Sequence, residues 1–105
     1  MTKLFTRLAS IIDDRKNKDP SDSYVAELHN KGMDAILKKL GEETTEVVIA
    51  AKSQDKQAVI HEMADLWFHS LVLLSSVNLQ PGDVFSELEK RFGTSGLKEK
   101  ASRSK

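Results

Sequence analysis

The sequence contains no cysteine. That excludes disulfides, a thiolate nucleophile, and cysteine-ligated zinc or iron–sulfur centres. Proline occurs twice and glycine five times in 105 residues, too few chain punctuators for a turn-rich β fold. Charge of one sign is not in excess either. Sixteen Lys and Arg balance 16 Asp and Glu, so bulk charge offers no attraction to nucleic acid or to a membrane surface. Long apolar runs are lacking. The longest, Leu66 to Leu74, is interrupted by His69 and is too short to cross a bilayer. Met1 to Ile12 is amphipathic, broken by Lys3 and Arg7, and has no signal-peptide core. These absences predict one cytoplasmic domain that binds neither nucleic acid nor membrane.

What is present is helical periodicity. Leu4, Phe5, Leu8, Ile11 and Ile12 recur at helical spacing and predict a first helix over about Thr2 to Lys16. Asn17 to Asp22 is polar, contains Pro20, and reads as a loop. Ser23 is placed to cap a short second helix, Tyr24 to Asn30. After Gly32, an apolar stripe of Met33, Ile36, Leu37, Leu40, Val47, Val48 and Ala51 predicts a long helix ending near Lys52. Gly41 lies inside it, either tolerated on the surface or making room for a ligand or a close helix. Asp55 is a candidate N-cap for a second long helix, about Lys56 to Val77. Pro81 opens a final helix ending near Arg91, before Gly93.

The fold class is therefore all-α, a bundle of about five helices over residues 1–93, with a polar, mobile tail over 94–105. The second long helix is apolar around nearly its whole circumference, through Leu66, Trp67, Phe68, Leu71, Val72, Leu73 and Leu74. A helix of that kind is normally buried on all sides, and a chain this small has little to cover it. A homodimer or higher homo-oligomer that completes the core is expected.

Acidic residues recur on both long helices: Glu42, Glu43 and Glu46 on the first, Glu62 and Asp65 on the second. Each residue advances a helix by about 100°. Glu43 and Glu46 thus lie about 60° apart on one flank of the apolar stripe, as do Glu62 and Asp65 on theirs. Glu42 points to solvent. Folding the helices back about Gln54 brings Glu46 level with Glu62, Glu43 with Asp65, and Lys39 with His69. Four carboxylates then converge at the edge of the core. A like-charged pair at 4 Å costs about 4 kcal/mol at an effective dielectric of 20, and protonation or a cation must offset it. Oxygen ligands favour hard ions, magnesium or manganese. The bland alternative, a solvated acidic face, suits any one of these residues but not their matched levels. H-E-x-x-H zinc chemistry fails because Asp65 stands where the second histidine belongs, and a ferritin-like di-iron site fails for want of E-x-x-H motifs.

Glu42-Glu43-x-x-Glu46, fifteen residues, then Glu62-x-x-Asp65 resembles the signature of the all-α nucleoside triphosphate pyrophosphohydrolases, the MazG-like superfamily. Within it, several segments resemble the phosphoribosyl-ATP pyrophosphatase family of histidine biosynthesis: Pro20 to Ala26, Lys38 to Glu43, Glu46 to Lys52, Ala64 to His69, and Thr94 to Lys100. Thr44 and Thr45 depart mildly from its pattern, at positions not proposed as ligands.

The resemblance implies a MazG-like helical fold and magnesium-dependent hydrolysis of phosphoribosyl-ATP to phosphoribosyl-AMP and pyrophosphate. It implies Glu43, Glu46, Glu62 and Asp65 as metal ligands, with Glu46 the choice for general base and Glu42 a support behind them. Lys39, Lys38, Arg15 and Lys16 are the phosphate-contact candidates, Lys39 the best placed. Tyr24 is a candidate contact for base or ribose, and His69 for the site or a phosphate. Trp67 is read as packing rather than as a base-stacking platform, and His29 and His61 as surface residues. Two other readings stay open: a house-cleaning enzyme acting on free nucleoside triphosphates through the same carboxylates, and a non-enzymatic helical interaction module.

Overall fold

The computed structural model describes residues 2–93, which form five helices: α1 (Thr2–Arg15), α2 (Tyr24–Lys31), α3 (Met33–Lys52), α4 (Lys56–Ser76) and α5 (Pro81–Phe92). The tail expected from residue 94 onward lies outside the described residues. Each helix ends within a residue or two of the expected boundary, because the local stop signals act as anticipated. Ser23 accepts the Ala26 amide at 3.1 Å at the start of α2. Its hydroxyl also reaches the Arg15 carbonyl, tying α2 to the end of α1. Gly32, at φ 100, makes the sharp passage from α2 to α3, a backbone conformation that favours glycine. Asp55 caps α4 by accepting the Ala58 amide at 3.1 Å. Pro81 stands in the first turn of α5, inside a reciprocal cap between Gln80 and Asp83.

The core joins Ile12 of α1, Val25 and Leu28 of α2, Ile36 of α3, and Leu71 and Val72 of α4. Phe5, Leu8, Phe68, Leu73 and Leu74 pack around it. Asp13 locks the base of this core: it accepts a short hydrogen bond from the Ser75 hydroxyl and a longer one from Gln80. All of these contacts gather at one end of the α3–α4 hairpin. The other end, near Gln54, projects away.

That projection shows in the dimensions, 55 × 35 × 25 Å with a radius of gyration of 16.5 Å. A compact domain of about 100 residues has a radius near 13 Å. The projecting arm carries Val48, Ile49 and Ile60, each about 60% exposed. The all-round apolar character of α4 is thus only partly covered within one chain. Leu71 and Val72 are buried, whereas Trp67 is half exposed.

Candidate metal centre

Helices α3 and α4 pack antiparallel along most of their length, so residues equidistant from the turn come level. Glu43, Glu46 and Glu62 each offer a carboxylate oxygen to one group whose members lie within 4.8 Å of one another. Glu43 is buried. One oxygen of Glu43 and one of Glu62, both Oε2, are shielded from solvent and have no hydrogen-bond partner. A buried carboxylate oxygen without a donor is costly. Two of them aimed into one acidic cluster are what oxygen-ligated cation binding would satisfy. The crowding also appears in proton affinity. The hydrogen bond and then the charge of Glu62 hold Glu46 above the usual carboxylate range, with desolvation adding to the shift. Glu43 and Lys39 offset part of it.

Asp65 stands apart from this trio. It belongs to a second group with His61 and Glu62, its Oδ2 3.5 Å from His61 Nε2. His61 lies one helical turn before Asp65 on α4, and Glu62 alone is common to both groups. The i, i+4 spacing accounts for this pair, and His61 is 73% exposed, as its reading as a surface residue required.

Lys39 lies at the mouth of the cluster, 3.4 Å from Glu43 Oε1 and 3.8 Å from Glu42 Oε1. Glu42 is exposed, as its place on the wheel required. Lys39 and His69, expected level with each other, have separate partners, Lys39 with Glu43 and Glu42 and His69 with Tyr24. The buried His69 meets the Tyr24 hydroxyl through Nε2 at 2.9 Å. The Lys39 ammonium holds its proton above the usual range, first through the Tyr24 phenolate once that group ionises, with burial opposing and Glu43 and Glu42 adding to the shift. Burial raises the Tyr24 phenol above its usual range, with Lys39 opposing.

Besides a cleft of about 290 Å³ that Glu46 and Glu62 line together, two others are lined by candidate site residues. One, of about 600 Å³, runs along α3 past Gly41, Glu42, Thr45 and Glu46. A Cβ on Gly41 would meet nothing within 4 Å, so no helix among the described residues requires the glycine. The other, of about 510 Å³, is lined by Arg15, Lys18, Tyr24 and Phe68, with Asp14, Asp19 and Asp22 at its rim.

A family model for phosphoribosyl-ATP pyrophosphohydrolase matches residues 5–92. A phosphoribosyl-ATP pyrophosphatase of Methylococcus capsulatus is 58% identical over 97 residues, covering 92% of each chain. One from Burkholderia cenocepacia is 56% identical over 101 residues, covering 92% of this chain and 84% of its own. The chain belongs to the phosphoribosyl-ATP pyrophosphohydrolase family.

Members of a pyrophosphohydrolase family generally need a divalent metal, and the unpartnered oxygens of Glu43 and Glu62 suit one. Among the expected phosphate contacts, the structure separates near from far. Lys39 is at the cluster, and Arg15 lines the Tyr24 cleft. Lys38 is exposed on α3. Lys16 is turned away: its ammonium donates to the Ser75 carbonyl at 3.2 Å and lies 3.7 Å from Asp13. The reason is position. Lys16 follows the last turn of α1, where its ammonium joins the Asn78 amide on the Ser75 carbonyl at the end of α4 and meets the Asp13 carboxylate. Trp67 packs against Phe5 at 5.3 Å between ring centres, in agreement with a packing role.

Proposed function

We propose that this chain hydrolyses phosphoribosyl-ATP to phosphoribosyl-AMP and pyrophosphate with magnesium as its cation, in the cytoplasm, as a homodimer or larger homo-oligomer. The enzyme class follows from the family. The observation that carries the metal reading is the pair of shielded, unpartnered oxygens on Glu43 and Glu62 beside the like-charged Glu46.

In this reading Glu43, Glu46 and Glu62 hold the cation, and Asp65 is the fourth ligand candidate, shared with His61. Magnesium bound there neutralises triphosphate charge and acidifies water. Glu46 is the exposed member of the trio. It would take the proton of the attacking water on a carboxylate oxygen. Lys39 offers its ammonium to the phosphate chain from the mouth of the cluster, with Lys38 one residue away. Arg15 faces the cleft beside Tyr24, where a ribose or base carrying a further phosphate fits by chemistry. Lys16 is left out, since its charge is already committed to Asp13 and Ser75.

Oligomerisation is supported by the exposed Val48, Ile49 and Ile60 on the projecting arm. No helix of the described residues is long and apolar enough to cross a membrane.

The deciding experiment compares turnover of phosphoribosyl-ATP with that of ATP and dCTP in magnesium. A large preference for phosphoribosyl-ATP is expected. Preference for a free triphosphate overturns the substrate assignment, and turnover that ignores chelation of the metal overturns the metal centre.

A further inference from the structure

The cleft of about 510 Å³ beside Tyr24 combines rings, cations and carboxylates. The rings are Tyr24 and Phe68. They lie 6.3 Å apart between centres with their planes 23° apart, and Tyr24 is 45% exposed. The cations are Arg15, which ends α1, and Lys18 in the loop that follows. Both side chains are exposed, and neither is held in an ion pair among the described residues. Lys16, between them in sequence, is instead committed to Asp13 and Ser75.

The carboxylates are Asp14, Asp19 and Asp22. Asp19 already accepts the amide and the hydroxyl of Ser21 through Oδ1. Free cations beside free carboxylates suit a ligand that has a phosphate at one end and hydroxyls along its length. A phosphate dianion only accepts, and it matches the guanidinium fork of Arg15. Hydroxyls donate to carboxylates. A bare polyphosphate has no donor to offer, and the carboxylates repel it. A phosphorylated pentose meets both demands.

The cleft is also tied to the acidic cluster. The Tyr24 hydroxyl lies 2.9 Å from His69 Nε2, and His69 Nδ1 lies 2.8 Å from the Asp65 carbonyl. Phe68 follows Asp65 by three residues on α4 and Glu62 by six, an axial rise of about 5 to 9 Å.

We propose that this cleft is the subsite for the phosphoribosyl group of the substrate: Arg15 and Lys18 take its phosphate, Asp14 and Asp22 its hydroxyls, and the Tyr24–Phe68 pair packs against the pentose. Phosphoribosyl-ATP differs from ATP by that group alone, so the cleft selects it over a free nucleoside triphosphate. The link to turnover rests on the reading given under Proposed function; the preference of the cleft for a sugar phosphate does not.

Two measurements on the full chain test this. The first uses ribose 5-phosphate, with neither metal nor nucleotide present. The NMR signals of Arg15, Lys18 and Tyr24 should shift on titration and saturate. Ribose and inorganic phosphate should each bind at least about tenfold more weakly. No saturation by about 20 mM ribose 5-phosphate, or equal binding of inorganic phosphate, overturns the proposal. The second is kinetic. Arg15→Gln should raise KM for phosphoribosyl-ATP about ten- to a hundredfold, the effect of a lost charge-assisted contact, with a smaller change in kcat. Lys18→Gln, which removes a point charge without a fork, should raise it less. The inhibition constant of ATP should not change in either variant. Lys90→Gln on α5, which does not line the cleft, should alter neither quantity. Arg15 supports the fold through its backbone carbonyl, the acceptor of the Ser23 hydroxyl, so the side-chain change should leave folding intact. Equal losses for both nucleotides place the cations on a phosphate that both carry and overturn the assignment. An unchanged KM in the Arg15→Gln, Lys18→Gln double variant does so too. If the parent chain turns over no phosphoribosyl-ATP while ribose 5-phosphate saturates the cleft, the substrate reading fails and the sugar-phosphate site stands.

Discussion

Glu46 and Glu62 bring carboxylate oxygens within 4.8 Å of each other across two antiparallel helices, and Glu62 is the main cause of the raised proton affinity of Glu46. Two carboxylates so placed hold a proton more readily than either does alone.

A pH signature follows. The folded chain binds that proton more tightly than the unfolded chain, whose Glu46 has the ordinary value of 4.5. The contribution to stability is therefore full below 4.5 and is lost as pH rises through the raised folded value. Magnesium, by taking the place of the proton, should offset the loss. Melting curves across this window, with and without the ion, should show a magnesium-linked rise in Tm that grows with pH. An absence of any rise at neutral pH favours the interaction-module reading.

Removing a ligand charge should separate activity from folding. Glu46→Gln and Asp65→Asn should each lower kcat by at least about a hundredfold, since even partners behind the ligands are worth 10- to 100-fold. Circular dichroism and Tm should stay near those of the parent, with no magnesium-linked rise for Glu46→Gln. Turnover retained in both variants would remove the metal assignment.

The Asp13–Ser75 contact should behave as a lock with no catalytic role. The Ser75 hydrogen bond is the leading cause of the lowered proton affinity of Asp13. Its stabilisation is present above the ordinary 3.8 and lost as pH falls through the depressed folded value. Asp13 is about a third exposed, so solvent screens the pair. Urea titration of Ser75→Ala at neutral pH should register a loss of about 1 kcal/mol, with KM unchanged.

The projecting arm should lose its partner when charged. Val48→Asp and Ile60→Asp alter side chains that one chain leaves about 60% exposed, so the isolated fold should tolerate them. Light scattering after gel filtration should find the parent oligomeric and the variants smaller. A monomeric parent would leave the exposed arm without explanation.

The two glycines bracketing the first half of α3 should respond oppositely to alanine. Gly32 has φ 100, and Gly32→Ala should destabilise by about 1 kcal/mol or more. Gly41 has an ordinary helical backbone with open space around it, so Gly41→Ala should stabilise by up to about 1 kcal/mol. Denaturant midpoints measure both. A fall in turnover without a fall in stability in Gly41→Ala would assign that glycine to ligand approach.

The sequence by itself determined the five helices, since their caps and stripes are local: Ser23, Asp55 and Pro81 each act within one turn of their own position. Counting equal helical rise on both arms of the hairpin also anticipated the meeting of Glu46 with Glu62, but not that Asp65 would fall in a second group with His61. Only the tertiary structure decided where flexible or distant side chains went. Lys16 is bonded to a carbonyl 59 residues away and His69 to a hydroxyl 45 residues away, distances over which periodicity carries no information. Asp65 lies beside His61 rather than in the group that holds Glu43, a placement set by side-chain reach that counting along the helix does not give. Those choices, made by packing rather than by pattern, separate the residues grouped around the candidate metal centre from those that merely share its flank.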